Sequence, residues 1–387
     1  MPDQPLPETA PDIDLQPLLA IISAGDTEDR IALARLMGEI MSGPASAADD
    51  EHLRLALALG LAADPDVDVR HALALALGPV SGLDSDLLFA IVSDIDPIAL
   101  PFLCATPSLT PWHMLAVLRA GDVARQACVA LRPDLDPGIA EVITQELPWP
   151  VNQLLLENRA VSLSRPQYWT LHERFGDSPE AVDTLLAQPD LPVELRIVQA
   201  RKASVRLRLL LAVRRWLPAR AAAALLADAE EEAILAALTA AAGQELADAL
   251  SFMEENDLLT ASLVMRAACH GAWDVVAAAL AALADLPVAG LDFAPARLKA
   301  LIARAGLPDA CLWTLRAAHD VDAAERQDVF RLTEDEFGQQ MIERLLEGYN
   351  GMRAEEQGQS LDLIARFASP AASMTARQLL ETELEAA

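Results

Sequence analysis

The chain has 387 residues, of which 53% are hydrophobic and 4% aromatic, and it carries 29 basic against 58 acidic residues for a net charge of −29. The apolar content is mostly Ala and Leu, which favours helices over strands. The acidity disfavours general binding to nucleic acid or to anionic membranes, because like charges repel.

The first 14 residues are acidic and rich in proline, and we expect them to be disordered. They lack the basic and apolar regions of a signal peptide. Helices are expected at about 15–24, 27–42 and 50–62. The next helix is expected to begin at the motif Asp-Pro-x-Val-x-Val-Arg. Asp64 is expected as its N-cap residue, and the proline that follows lies in the first turn.

The longest uncharged segment, 97–118, is long enough to span a bilayer. It contains four prolines, so it predicts two short helices joined by a turn, and no membrane insertion is expected.

A leucine recurs every 26 to 28 residues through the middle of the chain. The six positions are Leu83, Leu109, Leu135, Leu163, Leu191 and Leu217. Each is followed by a residue that favours a helix start, either a capping side chain or a proline. These residues are Asp84, Thr110, Asp136, Ser164, Pro192 and Pro218. Each repeat of 26 to 28 residues holds two short helices, which cannot bury their apolar faces alone. The repeat therefore predicts an all-α, right-handed solenoid of short HEAT-like hairpins over 15–243.

The leucine spacing fades after residue 243, although helices continue. We expect a helical continuation over 244–320 and further helices over 321–387. Thr333 and Glu336 have the spacing of a capping box for a helix to about 347. The last helix is amphipathic and acidic, and it either caps the solenoid or docks a partner.

Several segments resemble an alphaproteobacterial family catalogued as domain of unknown function 2336. They include DPDVDVRHALALAL, VALRPDLDPGIAEVI, LLAQPDLPVELR and LTASLVMRAACHGAWDVVAAALAALADLPVAGL, and together they cover about 60–320. The resemblance implies a helical-repeat fold. It brings no established reaction and no catalytic residues, and members of the family look like regulatory or scaffolding proteins.

Motifs for catalysis, metal or cofactor binding are missing from the sequence. It has six histidines but no HExxH, and only one His-Glu pair, His172 and Glu173. The cysteines Cys104, Cys128, Cys269 and Cys311 have neither zinc nor disulfide-framework spacing. We expect them to be buried thiols in a reducing cytoplasm. Cys269 and His270 are adjacent, but neighbouring helical side chains point about 100° apart. We therefore expect no catalytic residues, no metal site and no cofactor.

One stretch, 196–220, departs from the acidic background because it has eight basic residues and no acidic ones. The candidate interaction patch consists of Arg196, Arg201, Lys202, Arg206, Arg208, Arg214, Arg215 and Arg220. Arg201, Arg208 and Arg215 recur every seven residues and would share a helix face. The apolar residues between them are expected to contact the core, and these are Leu207, Leu210, Leu211 and Val213.

Two interpretations of this patch stay open. It either pairs internally with acidic residues such as Glu230, Glu231 and Glu232, or it recognises an acidic partner. The first functional hypothesis is a non-enzymatic, cytoplasmic scaffold, adaptor or regulator that binds another protein. The alternatives are a binder of an anionic ligand or nucleotide at 196–220, and an enzyme on a HEAT-like scaffold of the lyase or DNA glycosylase type. The net charge and the missing motifs disfavour the enzyme, and the oligomeric state is left open.

Overall fold

A computed structural model of the chain describes residues 16–43, 48–214, 217–327 and 331–386. The segment 1–14, expected to be disordered, lies outside these residues. The described residues form α-helices and one 3₁₀ turn at Val288–Gly290, and they contain no strand. The prediction of an all-α fold is confirmed. The chain divides into two compact units, Met1–Asp190 and Leu191–Ala387.

The first unit is made of short helices. They are α1 (Gln16–Ala24), α2 (Thr27–Ser42), α3 (Ala48–Ala62), α4 (Val67–Leu77), α5 (Ser85–Val92), α6 (Asp96–Ala105), α7 (Pro111–Ala120), α8 (Val123–Ala130), α9 (Pro137–Glu146), α10 (Trp149–Glu157), α11 (Arg165–Phe175) and α12 (Pro179–Leu186). The uncharged segment 97–118 forms α6, α7 and the turn between them, as predicted.

The helices of the first unit alternate between two layers. In one layer α2 packs on α4, and the contacts continue through α6, α8, α10 and α12. In the other, α1 packs on α3, α3 on α5, α7 on α9, and α9 on α11. This alternation is that of stacked helical hairpins, each of which buries its apolar face against its neighbours.

The helix starts of the first unit follow the predicted capping. The Asp84 and Asp136 side chains accept from the backbone N–H groups of Asp86 and Gly138, each at 2.8 Å. The start of α4, however, lies two residues later than predicted. Asp66 is the N-cap residue of α4, and its carboxylate accepts from the Asp68 N–H at 3.0 Å. The prediction of Asp64 was wrong, because this buried carboxylate instead receives Arg30 Nε at 2.7 Å.

Consecutive hairpins of the first unit are also joined by side chains that donate to backbone carbonyls. Arg125 donates to Asp94 O at 2.5 Å, and Arg132 donates to Leu103 O at 2.8 Å. Asn158 donates to Ala130 O at 3.0 Å. These carbonyls lie at or near helix C-termini, where the helix leaves acceptors without a donor, so each hairpin satisfies backbone groups of the one before it.

The second unit contains longer helices. They are α13 (Val193–Arg214), α14 (Ala219–Ala240), α15 (Gly243–Glu255), α16 (Ala261–Cys269), α17 (Trp273–Ala284), α18 (Pro295–Arg304), α19 (Cys311–Glu325), α20 (Glu334–Glu347), α21 (Ala354–Phe367) and α22 (Pro370–Ala386). The predicted Thr333–Glu336 capping box is present at the start of α20.

The prediction of short hairpins fails at the last two of the six recurring leucines. Leu191 and Leu217 precede α13 and α14, which are 22 residues each. No glycine or proline interrupts 193–217, so nothing ends the helix after one or two turns. Leu217 is 41% exposed and cannot act as a buried N-terminal contact of the kind expected from Leu83, which is 6% exposed.

The core of the second unit forms around α16 and α19. α16 packs against α14, α17, α19, α20 and α21, and α19 also contacts α17, α18, α20 and α21. The acidic final helix, α22, lies on α20 and α21 and buries Ala372 and Ala376 completely. A Cβ atom on Gly338 would lie 2.5 Å from the Ala372 Cβ, so this glycine is what lets α20 and α22 approach closely.

Candidate functional site

The described residues of the acid-free segment, 196–214 and 217–220, lie in or just before α13 and α14, which pack against each other. The core cluster of the second unit takes Val193 and Ile197 from the start of α13. From the end of α14 it takes Ile234, Leu235 and Leu238. The other halves of both helices contribute no residue to that cluster. We call the described residues 201–214 and 217–230 the distal hairpin, since none of them belongs to that cluster.

The predicted arginine patch is divided between two surfaces. Arg201 Nε lies 3.4 Å from Glu230 Oε1, and Arg208 Nη2 donates to Glu230 Oε2 at 3.0 Å. Both side chains are therefore directed across the hairpin toward α14. Arg196 and Lys202 are partly buried, whereas Arg206, Arg214 and Arg220 are exposed, as are Arg201 and Arg208. Arg215 lies outside the described residues.

An apolar surface lies beside the two α13 arginines that pair with α14, in the segment where the sequence predicted core contacts. Val205, Leu209 and Val213 are 53%, 64% and 80% exposed. They are four residues apart and share one helix face, so they form a continuous row that we call the apolar stripe. Leu207 and Leu210 are also more than 40% exposed, so the expectation that they contact the core was wrong for both, and for Val213.

The position of Ser204 explains why the stripe faces outward. Ser204 is buried and accepts from Arg208 Nη2 at 3.1 Å, and the same nitrogen donates to Glu230 on α14, so the 204/208 face lies against α14. The stripe is rotated by roughly 120° from that face around the same helix. The helical spacing of the apolar residues in α13 is the same whichever side faces the partner helix, so the sequence alone does not identify the inner face.

A small cleft of about 170 Å³ lies at the base of the distal hairpin, lined by Arg201, Arg208, Glu230, Glu231 and Asp257 among others. Its two arginines share Glu230, and three carboxylates line the same space. An anionic ligand there would have to displace Glu230 from both guanidinium groups. This arrangement matches the internal-pairing interpretation of Arg201 and Arg208 and disfavours an anion site at them.

A second cleft, of about 590 Å³, lies within the second unit between α17 and the end of α19. Arg326 bridges two of its carboxylates, donating to Asp322 at 2.8 Å and to Asp274 at 2.7 Å. Burial raises the pKa of Asp322, and the Arg326 hydrogen bond opposes this. No spacing in the sequence joins residues 274 and 322, so only the fold brings this pair together.

Ser85 and His113 form the contact in the first unit that most resembles a nucleophile and base. Ser85 Oγ lies 2.9 Å from His113 Nε2. The Thr110 backbone N–H donates to His113 Nδ1 at 3.1 Å, as part of the capping box of α7. Because Nδ1 accepts, the proton of the neutral ring lies on Nε2 and points at Ser85. The imidazole is therefore arranged as a cap, not as the base that would activate Ser85.

The cysteines differ from the expectation of four buried thiols, because Cys104 is exposed. Burial raises the pKa of Cys128 and of Cys269 to about 12, and that of Cys311 to about 11.

Among the described residues no group of His, Cys, Asp and Glu has the arrangement of a metal site. Within the same residues, none of the helices combines the length and apolar character that crossing a membrane requires.

The profile of one bacterial family, described as "Uncharacterised protein conserved in bacteria (DUF2336)", matches residues 98–353. The match runs from α6 in the first unit to the start of α21 and includes the whole distal hairpin. No curated protein and no solved structure matches the sequence. Since the match spans more than half of the 387 residues, the chain belongs to this family of uncharacterised bacterial proteins.

Proposed function

We propose that this protein is a non-enzymatic scaffold or adaptor of the bacterial cytoplasm, and that it binds another protein through the distal hairpin. The observation that supports this most directly is the exposure of Val205, Leu209 and Val213 on one face of α13. Single exposed apolar side chains are ordinary, but a continuous row with further exposed leucines beside it is typical of an interaction surface.

The energetics favour a protein partner. Burying one Val or Leu side chain contributes about 1.5–3 kcal/mol, so covering the three stripe residues supplies several kcal/mol toward association. The helix that carries them is already ordered by its pairing with α14, so binding does not have to supply the free energy of folding it.

A cytoplasmic location is supported by the cysteines. All four are free thiols, and three of them are buried. A reducing compartment maintains this state.

Co-purification with the full-length protein from its bacterial host, with chemical crosslinking, tests the proposal. The test variant carries Leu209→Ser and Val213→Ser, and the control variant carries Leu75→Ser. Leu75 on α4 is 60% exposed, so the control removes a comparable exposed leucine.

We expect a specific crosslinked partner with the wild type and the control, at near-equal melting temperatures, and its loss with the stripe variant. Equal recovery of the same partners by all three proteins would show that the stripe does not bind them.

A further inference from the structure

Two cysteines of the first unit lie side by side on neighbouring helices. Cys104 is in the last turn of α6, and Cys128 is in α8, which packs against α6. Cys128 Sγ donates to Leu100 O at 3.7 Å. In an α-helix the carbonyl of one residue faces the N–H four residues later, so this oxygen also faces the backbone of Cys104. The Cys128 sulfur is therefore seated against the turn of α6 that carries Cys104.

The two thiol groups are themselves in contact. Burial is the main reason that the pKa of Cys128 is raised to about 12, and a hydrogen bond between the Cys104 and Cys128 side chains raises it further. The last turn of α6 is also held in place, because Arg132 donates to Leu103 O at 2.8 Å. Two sulfur atoms that meet between helices fixed in this way can be bridged without a large movement of the backbone, which is the main geometric requirement of a disulfide.

The two thiols differ in their access to solvent. Cys104 is exposed, whereas Cys128 is only 9% exposed. A reagent in solution therefore reaches Cys104 first, and Cys128 is the thiol beside the modified sulfur. An accessible cysteine next to a second cysteine that can displace the modifying group is the usual arrangement of a redox-sensitive pair. Cys269 and Cys311 of the second unit are both buried and lack the accessible member.

We propose that Cys104 and Cys128 form a reversible disulfide, for which a low-molecular-weight disulfide is the oxidant. In a reducing compartment such a bond is transient, as redox-sensing disulfides are. This inference concerns the first unit alone and does not depend on the proposed function of the distal hairpin.

The reaction consists of two thiol–disulfide exchanges. The Cys104 thiolate attacks one sulfur of the small disulfide, whose S–S bond breaks, and the first small thiolate leaves. Cys128 then loses its proton to a base in the solvent and attacks the Cys104 sulfur, so that the mixed S–S bond breaks and the second small thiolate leaves. The two protein thiols lose two electrons, which reduce the small disulfide to two thiols. The product ties α6 to α8 and encloses α7 in a covalent loop.

The test is the reaction of the native full-length protein with an aromatic disulfide whose released thiol is coloured. We expect two thiols to be released per molecule, a rapid one through Cys104 and a slower one through Cys128. Because the second step is intramolecular, its rate should not change with the concentration of the reagent. Mass spectrometry of the product should show no bound reagent and two peptides joined through Cys104 and Cys128, which dithiothreitol separates.

Three variants assign the two steps. Cys104→Ser should abolish both releases. Cys128→Ser should release one thiol and keep the reagent bound at Cys104, and its hydroxyl can still donate to Leu100 O. Cys311→Ala removes a buried thiol of the second unit as the matched control, and it should still release two. The mass spectrum of the oxidised wild type requires no variant, so it decides the question even if a serine variant does not fold.

Three results would overturn the proposal. A wild type that releases one thiol and keeps the reagent on Cys104 would show that Cys128 does not displace it. A second release whose rate rises in proportion to the reagent would show direct attack on Cys128. A dimer on a non-reducing gel, in place of the internal link, would show that Cys104 pairs with another molecule. None of these results affects the apolar stripe, which is tested separately by partner capture.

Discussion

Glu230 on α14 accepts a hydrogen bond from Arg208 on α13 at 3.0 Å, and Arg201 lies 3.4 Å from its other carboxylate oxygen. One carboxylate thus holds two of the arginines that the sequence marks as a possible recognition patch. It also joins the two halves of the distal hairpin in a region that contributes nothing to the core cluster.

Glu230→Gln should loosen the distal hairpin. The arginines are about half exposed, so the ion pairs contribute only about 0.5–1 kcal/mol to the free energy of unfolding. The local effect is expected to be larger, with faster amide hydrogen exchange in 201–230 than in the rest of the second unit. Glu232→Gln removes an exposed carboxylate of the same helix as a control. Identical exchange in both variants would mean that the Glu230 pairing does not hold the hairpin closed.

Arg70→Ala should destabilise the first unit. Arg70 Nε donates to Asp94 Oδ2 at 2.7 Å, Nη2 donates to Oδ1 at 3.0 Å, and Nη1 donates to Asp64 O at 2.8 Å. Both ion-pair side chains are less than one-fifth exposed. Removing the guanidinium leaves Asp94 with the backbone N–H of the next residue as its donor and takes the Arg70 donor from the Asp64 carbonyl, and we expect a loss of about 2–3 kcal/mol in urea unfolding. Arg119→Ala, at an exposed 4.0 Å contact with Glu146, should cost less than about 1 kcal/mol. Equal losses would contradict this difference.

The same pair predicts a pH dependence. The Arg70 hydrogen bond is the main reason that the pKa of Asp94 lies below its usual value. Because the unfolded carboxylate takes up protons first, the stability from this pair is full above about pH 4 and is lost as the pH falls through the folded-state pKa. The difference in unfolding free energy between the wild type and Arg70→Ala should therefore be constant from pH 7 to 5 and shrink toward pH 3. A difference unchanged at pH 3 would exclude this linkage.

The cysteines should react unequally with a thiol reagent such as an aromatic disulfide. Cys104 is exposed, whereas the other three are buried, with their pKa values raised to about 11 or 12. The reactive thiolate is scarce and shielded at those three sites. We expect one rapidly reacting thiol in the native protein and four in denaturant, with Cys104→Ser abolishing the rapid reaction. More than one rapid thiol in the native wild type would contradict the burial of Cys128, Cys269 or Cys311.

Ser85 should not react with a fluorophosphonate probe of serine nucleophiles, since His113 directs its Nε2 proton at the hydroxyl.

The same histidine predicts a pH dependence of stability. Burial lowers the pKa of His113, so its neutral form is favoured in the folded state. The stability from this ring is full above about pH 6.5 and declines as the pH falls below that value. His113→Gln should reduce this part of the pH dependence. For the reactivity of Ser85, labelling of the wild type by the fluorophosphonate probe that is lost in Ser85→Ala would contradict this expectation and show that Ser85 acts as a nucleophile.

Much of the fold could be predicted from the sequence because its signals are local. Helix caps and prolines act within one turn of the backbone, so Asp84, Thr110 and Asp136 indicated helix starts that the structure has. The capping box at Thr333 and Glu336 was predicted for the same reason. The abundance of Ala and Leu was enough for the all-α class.

The candidate site depended on tertiary structure, because exposure and pairing are set by residues far apart in the chain. Whether Arg208 is a free cation depends on Glu230, which lies 22 residues away on another helix. Whether Leu209 is core or surface depends on which side of α13 faces α14, and its helical spacing is the same in either case. The sequence by itself determined helices, caps and an acid-free basic segment. Only the packing of α13 against α14 decided that the arginines at 201 and 208 pair with Glu230 and that the apolar stripe is left exposed.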